Sequence, residues 1–124
     1  MNNNQYTQLE LESIFANDFQ TTHFFLLASI YFESQDFNRA LKVCEIGLKA
    51  HPSHLEARYM LAKIYLLNNQ IIKSETFLSK SVNDNLFSIK MLKLFIEIRD
   101  SLNRSNIETK KIVDQLLEIQ PDDT

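Results

Sequence analysis

Three histidines and one cysteine are the side chains of this sequence best suited to chemistry. His51-Pro52-Ser53-His54 sets two imidazoles three residues apart. A zinc site needs three or four protein ligands, and the neighbouring residues supply no others. The tetrapeptide reads instead as a turn between helices, punctuated by its proline. Cys44 has no second thiol to pair with, so an internal disulfide is excluded and a reducing compartment is the expected setting. Loops that cradle phosphate need several glycines, and Gly47 is the only glycine in the chain. Serines, histidines and acids are scattered without the local context of an activated nucleophile. The expectation is therefore no enzyme, no metal and no cofactor.

What the sequence does contain is a repeated packing phrase. Leu27-Ala28-Ser29-Ile30-Tyr31 returns 34 residues later as Leu61-Ala62-Lys63-Ile64-Tyr65. Around the first copy stand Phe24, then Ala40, Cys44, Gly47 and Pro52. This arrangement resembles the tetratricopeptide repeat, whose pattern is W-x2-L-G-x2-Y, then A-x3-F, then P. Phe24 stands for the first aromatic, Ala28 for the glycine and Cys44 for the second aromatic. The second copy carries Arg58, Leu61, Ala62, Tyr65, Ser74, Leu78 and Ser81, and has Leu86 in place of the proline. Repeat one is thus Thr21–His54 and repeat two is Leu55–Ser88; Ile89–Pro121 has the right length but little of the motif. The resemblance implies an all-α fold, a right-handed superhelical stack of antiparallel helix pairs, and a role in binding other proteins.

Physical reasoning supports the same architecture. Small residues at Ala28, Ala40, Gly47, Ala62, Ser74 and Ser81 let helix backbones approach closely, while Leu27, Tyr31, Leu61 and Tyr65 fill the space between neighbouring pairs. One helix pair is too thin to bury its own apolar face and must stack on the next. In this register Cys44 falls on a buried face and serves as a small hydrophobe.

Seven helices are expected. The first runs from Tyr6 to about Phe19, with Leu11, Phe15 and Phe19 on one face. It either caps repeat one or lies in the binding groove. Thr21 or Thr22 caps a helix to about Ser34, and Asp36 caps Phe37–Ala50. Ser53-x-x-Glu56 reads as a capping box for a helix to about Leu67. Ile71–Val82, the broadly apolar Leu86–Leu102, and Ile107–Gln120 behind a Ser105-x-x-Glu108 box complete the set. The organisation is residues 1–20 as tail and capping helix, 21–121 as repeats (21–54, 55–88, 89–121), and 122–124 as an acidic tail.

Charge is segregated along the chain: −5 over residues 1–38, +6 from Arg39 to Lys111, and −4 beyond. All thirteen Lys and Arg lie in the middle segment, but seven acids are dispersed among them, which is not the dense basic face that nucleic acid requires. The N-terminus, Met-Asn-Asn-Asn-Gln, lacks the charge and apolar core of a secretory signal. No stretch reaches the roughly 18 uninterrupted apolar residues of a membrane span. A cytoplasmic protein with no membrane or nucleic-acid partner is expected.

In the resembled family the first helix of each repeat lines a concave groove. Residues between the packing positions point there: Phe25, Ser29 and Phe32, then Tyr59, Lys63 and Leu66, then Lys93, Glu97 and Asp100, successive sets being one 34-residue step apart. Some members hold a C-terminal carboxylate with Lys and Asn on these helices. The matching positions are Phe25, Ser29, Met60, Lys90 and Leu94, of which Lys90 alone has the right type, so that activity does not carry over. The expected function is an adaptor or scaffold that binds a peptide segment of another protein. The alternative is a self-association module, monomer or weak homodimer, using Met91, Leu94 and Ile98 on the C-terminal helices.

Overall fold

A computed structural model describes residues 6–104 and 107–119, apart from the side chains of residues 108, 116, 117 and 119. It contains seven helices and, among the described residues, no strand: α1 (Gln8–Asn17), α2 (Phe24–Glu33), α3 (Phe37–Ala50), α4 (Leu55–Leu67), α5 (Ile71–Asn83), α6 (Ile89–Ser101) and α7 (Ile107–Ile119). Two compact units divide the chain within α4, Met1–Ile64 and Tyr65–Thr124.

Local chemistry sets the helix ends. Thr7 opens α1 with a full capping box, its hydroxyl accepting from the Glu10 amide at 3.1 Å and Glu10 accepting from the Thr7 amide at 2.8 Å. The helix stops at Asn17, short of the expected Phe19, because Asp18 turns extended and its carboxylate accepts from the Gln20 amide at 3.0 Å. Before α2 the residue at the cap is His23, not a threonine, and Thr21 accepts from the His23 amide in a small turn instead. Asp36 caps α3 as expected, accepting from the Arg39 amide at 3.3 Å. The Ser53 box does not set the start of α4. That helix begins at Leu55, where the His54 ring nitrogen Nδ1 accepts from the Ala57 amide at 3.1 Å. Ser88, capping through the Met91 amide at 3.3 Å, starts α6 three residues after the expected Leu86. The Ser105 box lies outside the described residues.

Four helices end in the same way. Gln35, Asn69, Asn85 and Asn103 take left-handed φ values of 57–64°. In each case the following amide returns to the last turn at 2.8 Å: Asp36 to Tyr31, Gln70 to Tyr65, Leu86 to Ser81, and Arg104 to Arg99. These are Schellman closures, made here without glycine. Residues 35, 69 and 103 are spaced 34 apart, so the backbone repeats a third time where the side-chain motif has faded.

In the first unit the core holds Leu11, Phe24, Leu27, Ala28, Ala40, Cys44 and Leu61. Phe24 is wholly buried and lies on the backbone of Gly47, where a β-carbon would come within 2.1 Å of its ring. His51 stacks on the same ring and His54 meets it edge-on. In the second unit α5 packs on α6 and α6 on α7, around Leu78, Met91, Leu92, Phe95 and Ile98 with Ser74 and Ser81 fully enclosed. Arg99 is also buried, and it stands 34 residues after Tyr65. Its guanidinium meets Glu75 at 3.1 Å, Thr109 Oγ1 at 2.6 Å and the Arg104 carbonyl at 3.3 Å, while Arg104 adds a 3.3 Å contact to Glu75. A buried guanidinium thus fills a tyrosine's place, neutralised by a carboxylate.

Candidate functional site

The face read from the sequence divides between the two units. In the first, Phe25, Ser29 and Phe32 lie along α2 and Tyr59 and Lys63 along α4, all half-buried. Their helix neighbours Phe24, Leu27, Ala28, Tyr31, Leu61 and Ala62 are buried. Burial thus alternates with helical period, which separates one set that holds the fold from another that borders solvent. Phe25 rests against the His54 ring at 4.8 Å between centroids, and Phe32 meets Phe37 edge-on at 5.2 Å. The Lys63 ammonium sits 5.6 Å from the centre of the Tyr59 ring. This cation–π contact holds the charge beside the aromatic surface. In the second unit Leu66 is half-buried and Lys93, Glu97 and Asp100 are exposed.

On the other edge of α2 the chain is closed by α1. Tyr31 donates its hydroxyl hydrogen to the Glu12 carboxylate. Burial and that carboxylate raise the Tyr31 phenol to about 12, and the same bond lowers Glu12. The Arg39 guanidinium lies 5.7 Å from the Tyr31 ring centre, and one period later Lys73 lies 5.1 Å from that of Tyr65. Leu11 and Phe15 on α1 are buried.

The residues named for self-association all lie on α6. Met91 is 0% and Ile98 4% exposed, and Leu94 is half-buried. α6 packs on both α5 and α7, which accounts for the burial of Met91 and Ile98.

Among the described residues no group of three or more His, Cys, Asp or Glu could hold a metal ion. Burial raises the Cys44 thiol to about 12, far from the thiolate that reactivity requires, and the thiol donates to the Met60 sulfur at 3.7 Å. An 820 Å³ cleft in the second unit is bordered by Ser79, Phe95, Lys111, Ile112 and Glu118. Among the described residues no helix is long and apolar enough to cross a membrane.

The repeat unit and its helix packing are those of a recognised class. The tetratricopeptide repeat family profile matches residues 31–93, half of the chain, and the chain belongs to that family. Its fold is shared with YrrB, described as a TPR protein with an unusual peptide-binding site, at a TM-score of 0.71 and 11% identity over 90% of this chain. It is shared equally with MamA, at a TM-score of 0.73 and 13% identity over 92% of this chain. The chain spans 58% of YrrB and 67% of MamA. At these identities the likeness is one of fold, the all-α TPR solenoid class. No curated protein matches the chain.

Proposed function

We propose that this chain is a protein–protein interaction adaptor that holds a peptide segment of its partner against Phe25, Ser29, Phe32, Tyr59 and Lys63. The observation that carries the reading is the half-burial of three aromatic rings beside a fully buried packing set. Rings anchored on one side and open on the other can be covered by a ligand at little ordering cost, and buried aromatics are where binding energy concentrates. Lys63, held over Tyr59, would pair with an acid or donate to a backbone carbonyl of the segment, setting its direction more than its affinity. Leu66, Lys93 and Glu97, the positions named by register in the second unit, are proposed as a separate and more polar contact of that unit. α1 then acts as a cap on the Leu27 and Tyr31 edge of α2, leaving Phe25, Ser29 and Phe32 to the ligand. A non-enzymatic role in the cytoplasm fits the buried, unpaired Cys44.

The ligand expected is a short amphipathic segment with two apolar anchors and one acid, bound at micromolar strength, about −8 kcal/mol. Phe25→Ser combined with Tyr59→Ser should abolish recovery of the partner from native cells, scored by mass identification, with the helical circular dichroism kept. Lys63→Glu leaves the core untouched and should weaken the same capture. Undiminished capture by both variants would show that the partner uses another surface.

A further inference from the structure

A second surface of the first unit carries two depressions and takes no part in the proposed function. It lies on the opposite edge of α2, between α1 and α3, each of which packs on α2. Two depressions open there, of 370 and 240 Å³, and they share Phe19 as a common wall. The larger is floored by Phe15, Leu27, Tyr31 and Val43, all buried, with Arg39 and Lys42 on its border. The smaller is bounded by Ile46, Lys49 and Ala50.

Three features separate this surface from an ordinary helix junction. The first is its exposed apolar area. Phe19 is 55% and Ile46 36% exposed. The second is rigidity. Phe19 sits in a turn fixed by Asp18, whose carboxylate accepts from the Gln20 amide and whose carbonyl accepts from Thr21 at 3.1 Å, and its ring leans edge-on against Phe15 at 5.2 Å. A ring held outward in this way is preorganised to insert between ligand side chains. The third is the sign of the border. Arg39, Lys42 and Lys49 project from one face of α3, and Lys42 and Lys49 form no ion pair among the described residues. Glu12 is the one acid lining either depression, and its carboxylate is already taken by Tyr31 and by Gln8 Nε2 at 3.2 Å. Arg39 is paired with Asp36 at 3.5 Å and Glu45 stands between Lys42 and Lys49 on α3, so what the border offers beside the apolar trough is the two lysines that form no ion pair among the described residues.

We infer that this α1–α3 face is a second docking site, and that its occupant is an acidic amphipathic segment of a partner protein. Such a segment would place one bulky apolar side chain in the 370 Å³ depression beside Phe19 and set two carboxylates against Lys42 and Lys49. Charge at the border steers the approach and selects the sign of the ligand, while the trough supplies the affinity.

The test is a selection of displayed random twelve-residue peptides on the intact chain, followed by anisotropy titrations of the enriched peptides after synthesis. Enriched sequences should carry at least two Asp or Glu next to an aromatic or leucine. Lys42→Glu with Lys49→Glu should weaken them at least tenfold, and so should Phe19→Ser. All three positions are solvent-facing, so circular dichroism should be unchanged. Phe25→Ser with Tyr59→Ser should leave these peptides bound, which separates this site from the one proposed above. Enrichment of peptides without acids, no enrichment, or binding unaffected by the Lys42 and Lys49 reversals would overturn the inference. So would sedimentation with phosphatidylserine vesicles in place of peptide binding, or a dimer in light scattering that Phe19→Ser dissociates.

Discussion

Gly47 shows how one residue can carry a packing decision. It lies within α3, where alanine would favour the helix by about 1 kcal/mol. Yet the Phe24 ring occupies the space a β-carbon needs, three of its atoms falling within 2.1–2.5 Å of that position. The ring cannot retreat, since His51 stacks on it with centroids 5.8 Å apart and His54 meets it at 5.2 Å. Gly47→Ala should therefore destabilise by about 1–3 kcal/mol through overpacking, in spite of its helix preference. Combining it with Phe24→Leu should cost less than the two single changes together, since the smaller side chain frees the same space. Urea melts of the four proteins would measure this, and a stabilising Gly47→Ala would show that the ring has room to move. The sequence marked Gly47 as a small packing position, but the partner it serves comes from 23 residues away and follows no local rule.

Among the elements, helix ends were less legible than helix bodies. The Thr7-x-x-Glu10 box that opens α1 was missed, the helix being expected from Tyr6. Ser53-x-x-Glu56 was expected as a box and gave way to an imidazole, which is not among the preferred caps. Leu86 and Phe87 extended the apolar run ahead of α6 although they belong to its approach, because hydrophobicity alone cannot separate a buried turn from a helix. The Schellman closures were harder still to foresee, since a left-handed residue is ordinarily announced by glycine. Gln35 bears the largest side chain among them, at φ 64°. A non-glycine residue pays roughly 1–2 kcal/mol there. Gln35→Gly should accordingly stabilise by about 1 kcal/mol, read as a higher urea midpoint at constant slope, and Asn69→Gly by less, because asparagine tolerates this region. A fall in midpoint for Gln35→Gly would mean that its side chain makes a stabilising contact that outweighs the strain.

For the molecule as a whole, the 34-residue period between Leu27-to-Tyr31 and Leu61-to-Tyr65 was enough to place the fold class, because stacked repeats must reuse the same packing positions. The third repeat was obscured where Arg99 replaced tyrosine: a charged residue at a core position reads as surface until its partners Glu75 and Thr109 are known, and they lie 24 and 10 residues away. Phe25, Ser29, Phe32, Tyr59 and Lys63 could be named by register, but their degree of exposure could not. The α1–α3 face was invisible, since it exists only once α1 has docked. The repeated helix endings also bear on how the molecule ages. Asparagine loses ammonia when the next backbone nitrogen attacks its side-chain carbonyl carbon and closes a succinimide ring. After Asn69, Asn85 and Asn103 that nitrogen, in Gln70, Leu86 and Arg104, is bound at 2.8 Å to a carbonyl of the preceding helix. The geometry that finishes each helix thus restrains the atom that would begin its decay. On long storage, peptide mapping by mass should find these three asparagines intact in folded protein and converted to aspartate and isoaspartate in urea; equal loss in both would show that the closures open too often to protect them.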